Sequence, residues 1–331
     1  MAFSLLSVLL WVIGLVFLTY LVPHVALAWM CRPQDLKQKY NAKWALVTGA
    51  SSGIGLAIVK RLAQQGLNVL MVALDDDVLR KAVAEVRKES PDVEIRAVGV
   101  DLGSREKGLI TLDGGYLSRV RKELDRLNEP VQIGFLNAGY MLTGFFAETP
   151  LEKQLANLEC NATSAVAISH TLADRMLDAN VRGCLVFTSS AAANMPSPFS
   201  VLYAATKSFL SSFGASLAAE LRPQGIDVLV IHPSPVASSF YDKAHDLAAL
   251  DFFKRFAVTP ETLPDEVFAS IGRAVFRDIG AIAVIFRLVP KLIDYGFLAF
   301  VISIVGGWMP DFRKQARDAK IAREARRAKS S

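Results

Sequence analysis

Tyr203 and Lys207 stand four residues apart in Tyr203-Ala204-Ala205-Thr206-Lys207, a spacing that puts both side chains on one face of a helix. A free tyrosine titrates near pH ~10, too high for easy proton exchange at neutrality. An ammonium group beside it favours the phenolate, so the pair predicts a tyrosine with a lowered pKa acting as general acid or base. Ser190 follows an apolar run ending in Thr188, where its hydroxyl can donate to a substrate oxygen as negative charge develops. Asn161 lies farther upstream in Glu159-Cys160-Asn161-Ala162. Each residue also has a plainer reading. A serine near a strand end usually caps or meets solvent, and a Tyr-x-x-x-Lys pair often packs with a snorkelling lysine. Asn161-Ala162-Thr163 is formally a glycosylation sequon, which a cytosolic helix would not carry modified.

The elements that must position these residues alternate along the chain. Short β-branched runs predict strands over 43–48, 68–73, 93–100, 131–136, 184–188 and 228–232, with a shorter one over 281–285. Helical patterns fall between them, over 54–65, 77–89, 116–127, 150–180 and 203–221. Strands this uniformly apolar are buried on both faces, and the alternation predicts a Rossmann-type doubly wound parallel sheet in a single α/β domain. Its ligands belong at the carboxyl ends of the central strands.

The first strand runs into Thr48-Gly49-Ala50-Ser51-Ser52-Gly53-Ile54-Gly55 and then a helix. Glycines there permit a tight turn and let backbone approach a pyrophosphate at the positive helix end. With this turn the chain resembles the short-chain dehydrogenase/reductase family, whose TGxxxGxG motif is matched by Thr48, Gly49, Gly53 and Gly55. The likeness continues in order. Asp101 matches an aspartate that bonds the adenine, and Asn137-Ala138-Gly139 matches most of an NNAG motif, with Leu136 in place of its first asparagine. Pro233 to Ser238 resembles a PGxxxT segment at the nicotinamide end, with Ser234 for glycine and Ser238 for threonine. The resemblance implies cofactor contacts from Thr48, Gly49, Ser51, Ser52, Gly53, Ile54, Gly55, Asp75, Asp101, Asn137, Ala138, Gly139, Tyr203, Lys207, Pro233, Val236 and Ser238. It also implies catalytic roles for Asn161, Ser190, Tyr203 and Lys207, with Lys207 bonding the nicotinamide ribose and Asn161 holding a relay water. The cofactor is NADP(H) or NAD(H). Asp75-Asp76-Asp77 after the second strand leans towards NAD(H), the subfamily towards NADP(H), and the preference stays open.

The two ends differ from the middle. Residues 3–22 carry no charge, long enough for a bilayer-spanning helix, and Arg32, Lys37, Lys39 and Lys43 follow it. The positive-inside rule then places the body in the cytosol. A cleaved signal peptide is the rival reading, with Ala26-Leu27-Ala28 as its cleavage site. The stretch 281–308 is apolar but interrupted by Arg287, Pro290, Lys291 and Asp294; its last fourteen residues suit an interfacial, re-entrant or core helix. The tail 311–331 holds eight basic and three acidic residues, a surplus equal to the chain's whole formal charge of +5. Mixed charges without interleaved aromatics argue against nucleic acid and allow anionic lipid.

Cys31, Cys160 and Cys184 form no disulfide framework, although Cys31 at the membrane boundary has palmitoylation as one reading. His24, His170, His232 and His245 have no ligand spacing, so no metal is expected. The expected organisation is an anchor over 1–30, a juxtamembrane linker over 31–42, a catalytic domain over 43–280 with a substrate lid near 240–256, a membrane-associated segment over 281–310 and a basic tail. The anchor and motifs together resemble the branch containing membrane-bound 17β-hydroxysteroid dehydrogenases and very-long-chain 3-oxoacyl-CoA reductases. That implies an oxidoreductase interconverting a lipid-like ketone and a secondary alcohol at the endoplasmic reticulum membrane, with a homodimer as the expected assembly. Retinol dehydrogenase and 3-ketosphinganine reductase are alternatives, and a non-catalytic nucleotide-binding scaffold is an alternative of another class.

Overall fold

Seven parallel strands form the sheet, and each is short and apolar enough to be covered on both faces. They are β1 (Trp44–Thr48), β2 (Asn68–Ala73), β3 (Ile95–Gly99), β4 (Val131–Leu136), β5 (Gly183–Thr188), β6 (Ile226–Pro233) and β7 (Phe276–Ile279), in the order β3-β2-β1-β4-β5-β6-β7. The computed structural model describes residues 4–104, 115–241 and 247–330. Residues 1–3 of the expected anchor, 242–246 of the expected lid with His245 among them, and Ser331 lie outside the described residues.

Alternate side chains of each strand point to opposite faces. Val47, Met71, Phe135, Val186 and Ile231 enter one buried cluster with α3 (Gly53–Gln64), α4 (Asp77–Glu89) and α10 (Leu263–Ser270). Leu46, Leu70, Leu185, Phe187 and Val230 enter the other with α5 (Tyr116–Leu124), α7 (Ser164–Asp178) and α8 (Val201–Leu221). Strand order reverses between β1 and β4, which opens the crevice where ligands of such sheets bind.

Three expectations change. The strand expected over 281–285 is instead the start of α11 (Ala281–Leu292), because β7 ends at Ile279 and Gly280 turns the chain at φ +88°. The helix expected over 150–180 is α6 (Leu151–Leu158) and α7 separated by a π-helical turn, Glu159–Thr163, so the run is continuous but underwound around Asn161. The segment 31–42 is no free linker: its short helix α2 (Leu36–Tyr40) buries Leu36 and Tyr40 in the first cluster, and Tyr40 donates to Asp227 at 2.6 Å.

At the amino end, α1 (Leu5–Met30) leaves Leu9, Trp11, Leu15 and Leu18 exposed. Its stretch Ser7–Met30 is long and apolar enough to cross a membrane. Its later turns also touch the domain, where Tyr20 donates to Asp278 at 2.9 Å and Arg277 donates to the His24 carbonyl at 3.1 Å. At the other end, α11 and α12 (Tyr295–Val305) meet at 108°, a bent pair rather than a straight span. No residue of α12 is buried, which removes the core-helix reading. The short helix α9 (Ala248–Lys254) lies within the expected lid. The tail forms α13 (Pro310–Ser330), anchored at its first turn by the buried Asp311, which accepts from Ala248 N at 2.7 Å.

Burial of α2 predicts that Leu36→Ala lowers unfolding free energy by about 2–5 kcal/mol, as for other core leucines. A denaturant midpoint in detergent unchanged by this substitution would restore the linker reading.

Candidate active site

The turn after β1 is tight for identifiable reasons. Gly49 and Gly53 hold φ of +63° and +53°, and a Cβ on Gly55 would sit 2.0 Å from the Gly49 carbonyl oxygen. Ser52, the N-cap of α3, makes no side-chain cap bond, so the first-turn N–H groups stay directed out of the helix end. Thr48 looks across to β4 instead of into the turn, and its hydroxyl accepts from Asn137 N at 2.9 Å and Ala138 N at 3.0 Å. Asn137 in turn donates to Thr48 O at 3.2 Å and accepts from the Thr188 hydroxyl at 3.0 Å. The ends of β1, β4 and β5 are thereby tied together.

Lys207 reaches this junction from α8, buried, and its Nζ donates to Thr188 O at 2.8 Å. A Cβ on Gly139 would meet both Lys207 Nζ and Asn161 Oδ1 at 3.2 Å, so glycine leaves those two groups as neighbours. Asn161 accepts from Tyr140 N at 2.9 Å and donates to Tyr140 O at 3.0 Å. The π-helical turn thus aims Asn161 back at the strand-end loop, a common use of such turns.

Tyr203 is buried, its ring 5.7 Å from Lys207 Nζ and 5.9 Å from the Phe240 ring. Ser190 Oγ accepts from Ala192 N at 3.2 Å, and its hydroxyl lies beside the Tyr203 phenol. The expected lowering of the tyrosine pKa is not found. Burial raises it, Tyr241 adds to the rise, and only the Ser190 hydroxyl beside it opposes them. The physical reason is burial of the phenol under Phe240 and Tyr241; Lys207 donates to the Thr188 carbonyl and is itself pushed down to about 8 by burial.

Ser234, the departure from the PGxxxT pattern, points away from this centre. Its hydroxyl accepts from Ala283 N at 3.0 Å, in space left by Gly280, where a Cβ would lie 2.6 Å from it. Pro233 and Val236 are buried, and Ser238 sits 3.3 Å from where a Gly53 Cβ would be, so 233–238 borders the glycine turn. Asp101 accepts from Gly103 N at 2.8 Å, and Asp75 packs over Gly99. The lid region mixes both of its readings: Phe240 covers Tyr203, whereas Phe252 and Phe256 are exposed.

The model of the short chain dehydrogenase family matches residues 43–247. The chain belongs to that family. It is an oxidoreductase of the family, and relatives at 25–30% identity carry the name very-long-chain 3-oxoacyl-CoA reductase. The one from Ajellomyces capsulatus is 28% identical over 285 residues, covering 85% of this chain and 77% of the relative. Among solved structures, one from work on 7β-hydroxysteroid dehydrogenase stereoselectivity superimposes with a TM-score of 0.65 at 25% identity, covering 75% of this chain and 91% of that one. A short-chain dehydrogenase from Sphingobium yanoikuyae in complex with NADPH gives 0.58 at 26% identity, covering 67% and 81%.

As a short-chain dehydrogenase the chain uses a nicotinamide dinucleotide, NAD(H) or NADP(H). The residues present fit one: a glycine turn without side chains, an uncapped helix start for the pyrophosphate and a buried lysine beside Asn161 and Gly139. The end of β2 carries both signs of charge, since Asp75 pairs at 3.2 Å with Arg80, a residue the motif reading passed over. Arg80 lies one helical turn into α4, and only its position beside Asp75 marks it. Thr188 and Asn157 were also missed. Asn157 donates to Tyr140 O at 2.8 Å, and its place four residues before Asn161 on the same helical run was the available signal.

Lys207 makes stability depend on pH. Its folded value of about 8 lies below the ordinary 10.5, so between them the unfolded chain binds more protons. Stability therefore rises with pH through that window, and the full penalty applies below it. Denaturant midpoints across the window should show this slope, and Lys207→Met should flatten it; an unchanged slope would place the titration elsewhere.

Proposed function

We propose that this short-chain dehydrogenase reduces the keto group of a lipid-like substrate, a long-chain 3-oxoacyl thioester, with NAD(P)H at a membrane surface. The observation that carries the reading is the shared centre of Ser190, Tyr203, Lys207 and Asn161 in a chain whose relatives are named very-long-chain 3-oxoacyl-CoA reductases. A reduced nicotinamide cofactor, its pyrophosphate held at the glycine turn, would supply hydride to the carbonyl carbon. Ser190 holds the carbonyl oxygen by donating its hydroxyl proton to a hydrogen bond that strengthens as negative charge grows. Tyr203 gives its phenolic proton to that oxygen, which completes the alcohol. Lys207 steadies the phenolate left behind, and Asn161 holds the water through which the proton is replaced from solvent.

Pro233, Val236 and Ser238 would border the nicotinamide end, Thr48 to Gly55 and Asn137 to Gly139 the pyrophosphate and ribose, and Asp75 and Asp101 the adenosine. In this reading 1–30 anchors the chain in the endoplasmic reticulum membrane with the domain over 43–280 in the cytosol. The exposed faces of α1 and α12 support membrane contact, as does the basic tail. A homodimer through the helices carrying Asn161 and Tyr203 belongs to the same reading. A steroid ketone is the second substrate reading, favoured by the structural likeness to the 7β-hydroxysteroid dehydrogenase.

The test is NAD(P)H oxidation by purified protein in detergent with 3-oxoacyl thioesters and ketosteroids. Tyr203→Phe should lower kcat by roughly 10²–10⁴ while cofactor binding is kept. An equally active variant would exclude the mechanism.

A further inference from the structure

The tail does more in this structure than add charge, because its two faces engage different things. On the inner face Asp311 and Gln315 are buried, one turn apart. Asp311 accepts from Ala248 N, the first amide of the lid helix α9, and so caps that helix in place of Leu247, which has no acceptor side chain. Phe312 meets Phe145 edge-on at 5.3 Å, and Phe145 packs on Phe199, in the loop between Ser190 and Tyr203, at 5.6 Å. Farther along, Arg323 donates to Glu148 at 2.6 Å. The helix thus ties the start of α9 to the segment 145–148.

On the outer face Arg313, Arg317 and Lys320 follow at i, i+4 and i+7, all exposed, and among the described residues none of them pairs with a carboxylate. The helix just before them, α12, exposes Phe297, Phe300 and Ile304, and Trp308 follows. A basic stripe continuous with an apolar helix complements an anionic bilayer surface. Of the inner contacts, the cap, the aromatic pair and the ion pair whose arginine is largely exposed are each of modest strength. A surface holding the outer face would keep Asp311 at the start of α9 for more of the time.

We infer that α13 is a lipid-reading strap: anionic phospholipid bound by Arg313, Arg317 and Lys320 holds α9, whose Phe253 packs with Ala191 next to Ser190, in its capped position through Asp311. This rests on the reductase reading only for its effect on rate. The experiment reconstitutes the full chain on phosphatidylcholine vesicles with and without phosphatidylserine. It reads amide exchange over Ala248–Lys254, and kcat/KM for an uncharged 3-oxoacyl N-acetylcysteamine thioester. Phosphatidylserine should slow lid exchange and raise kcat/KM by about five-fold, the worth of one helix cap. The Arg313→Gln/Arg317→Gln/Lys320→Gln variant should lose roughly two orders of magnitude of its preference for anionic vesicles, together with both responses. Asp311→Ala should keep that preference and lose the responses. Equal lid exchange on the two vesicles, or a response that survives either variant, would overturn the inference. If no thioester is reduced at all, the reductase reading fails while lid exchange still decides the strap.

Discussion

Two threonine hydroxyls hold the site in register. Thr48 receives the first two amides of the loop after β4, and Thr188 gives its proton to Asn137 of the same loop while its carbonyl holds Lys207. Three parallel strands otherwise end independently, joined only by their ladders. Side-chain bonds beyond the last ladder rung fix the relative heights of the glycine turn, the Asn137-Ala138-Gly139 turn and α8. An unmet buried amide costs about 1–3 kcal/mol, so the loop has little freedom to drift from Thr48. Everything proposed for Tyr203 and Ser190 depends on that fixed frame.

Close approach is the second constraint. Gly55 lets the helix start touch the strand end, and Gly139 lets a lysine and an asparagine meet. The underwound turn at Glu159–Thr163 then brings Asn161 to face them. Burial makes the arrangement electrostatically tense: it pushes Lys207 down and Tyr203 up, both towards neutrality. His232 behind them is held low, to about 3, by burial and by Arg287, so its contact with Asp278 joins a neutral ring to a carboxylate. The nearby charge pair is Arg287 with Asp278, and Tyr20 of α1 hydrogen-bonds the same carboxylate.

Periodicity and motif order were enough to read the parallel sheet and its first six strands, because strands buried on both faces have little compositional latitude. The seventh strand was misplaced since Ala281 to Ile285 is as apolar as a strand, and only Gly280, a turn residue, marks the boundary. Segment 31–42 reads as a linker by its place between the apolar run and the first strand, while two buried side chains decide how it packs. Tyr203, Lys207, Ser190 and Asn161 were legible as types at spacings. The sign of the Tyr203 shift was not, because it follows from how deeply Phe240 and Tyr241 cover the ring. The docking of the tail was equally hidden: Asp311 reads as one acid among many bases until it is seen beneath Ala248.

The central claim is that this frame directs a hydride onto a lipid-chain ketone. It is tested most directly with a reduced cofactor deuterated at the transferring position, incubated with the purified full chain and a long-chain 3-oxoacyl thioester, followed by mass spectrometry of the product. The account predicts a 3-hydroxyacyl thioester carrying one deuterium at the former carbonyl carbon. A hydroxy product without that label, or no product from any lipid ketone while the cofactor binds, would contradict it.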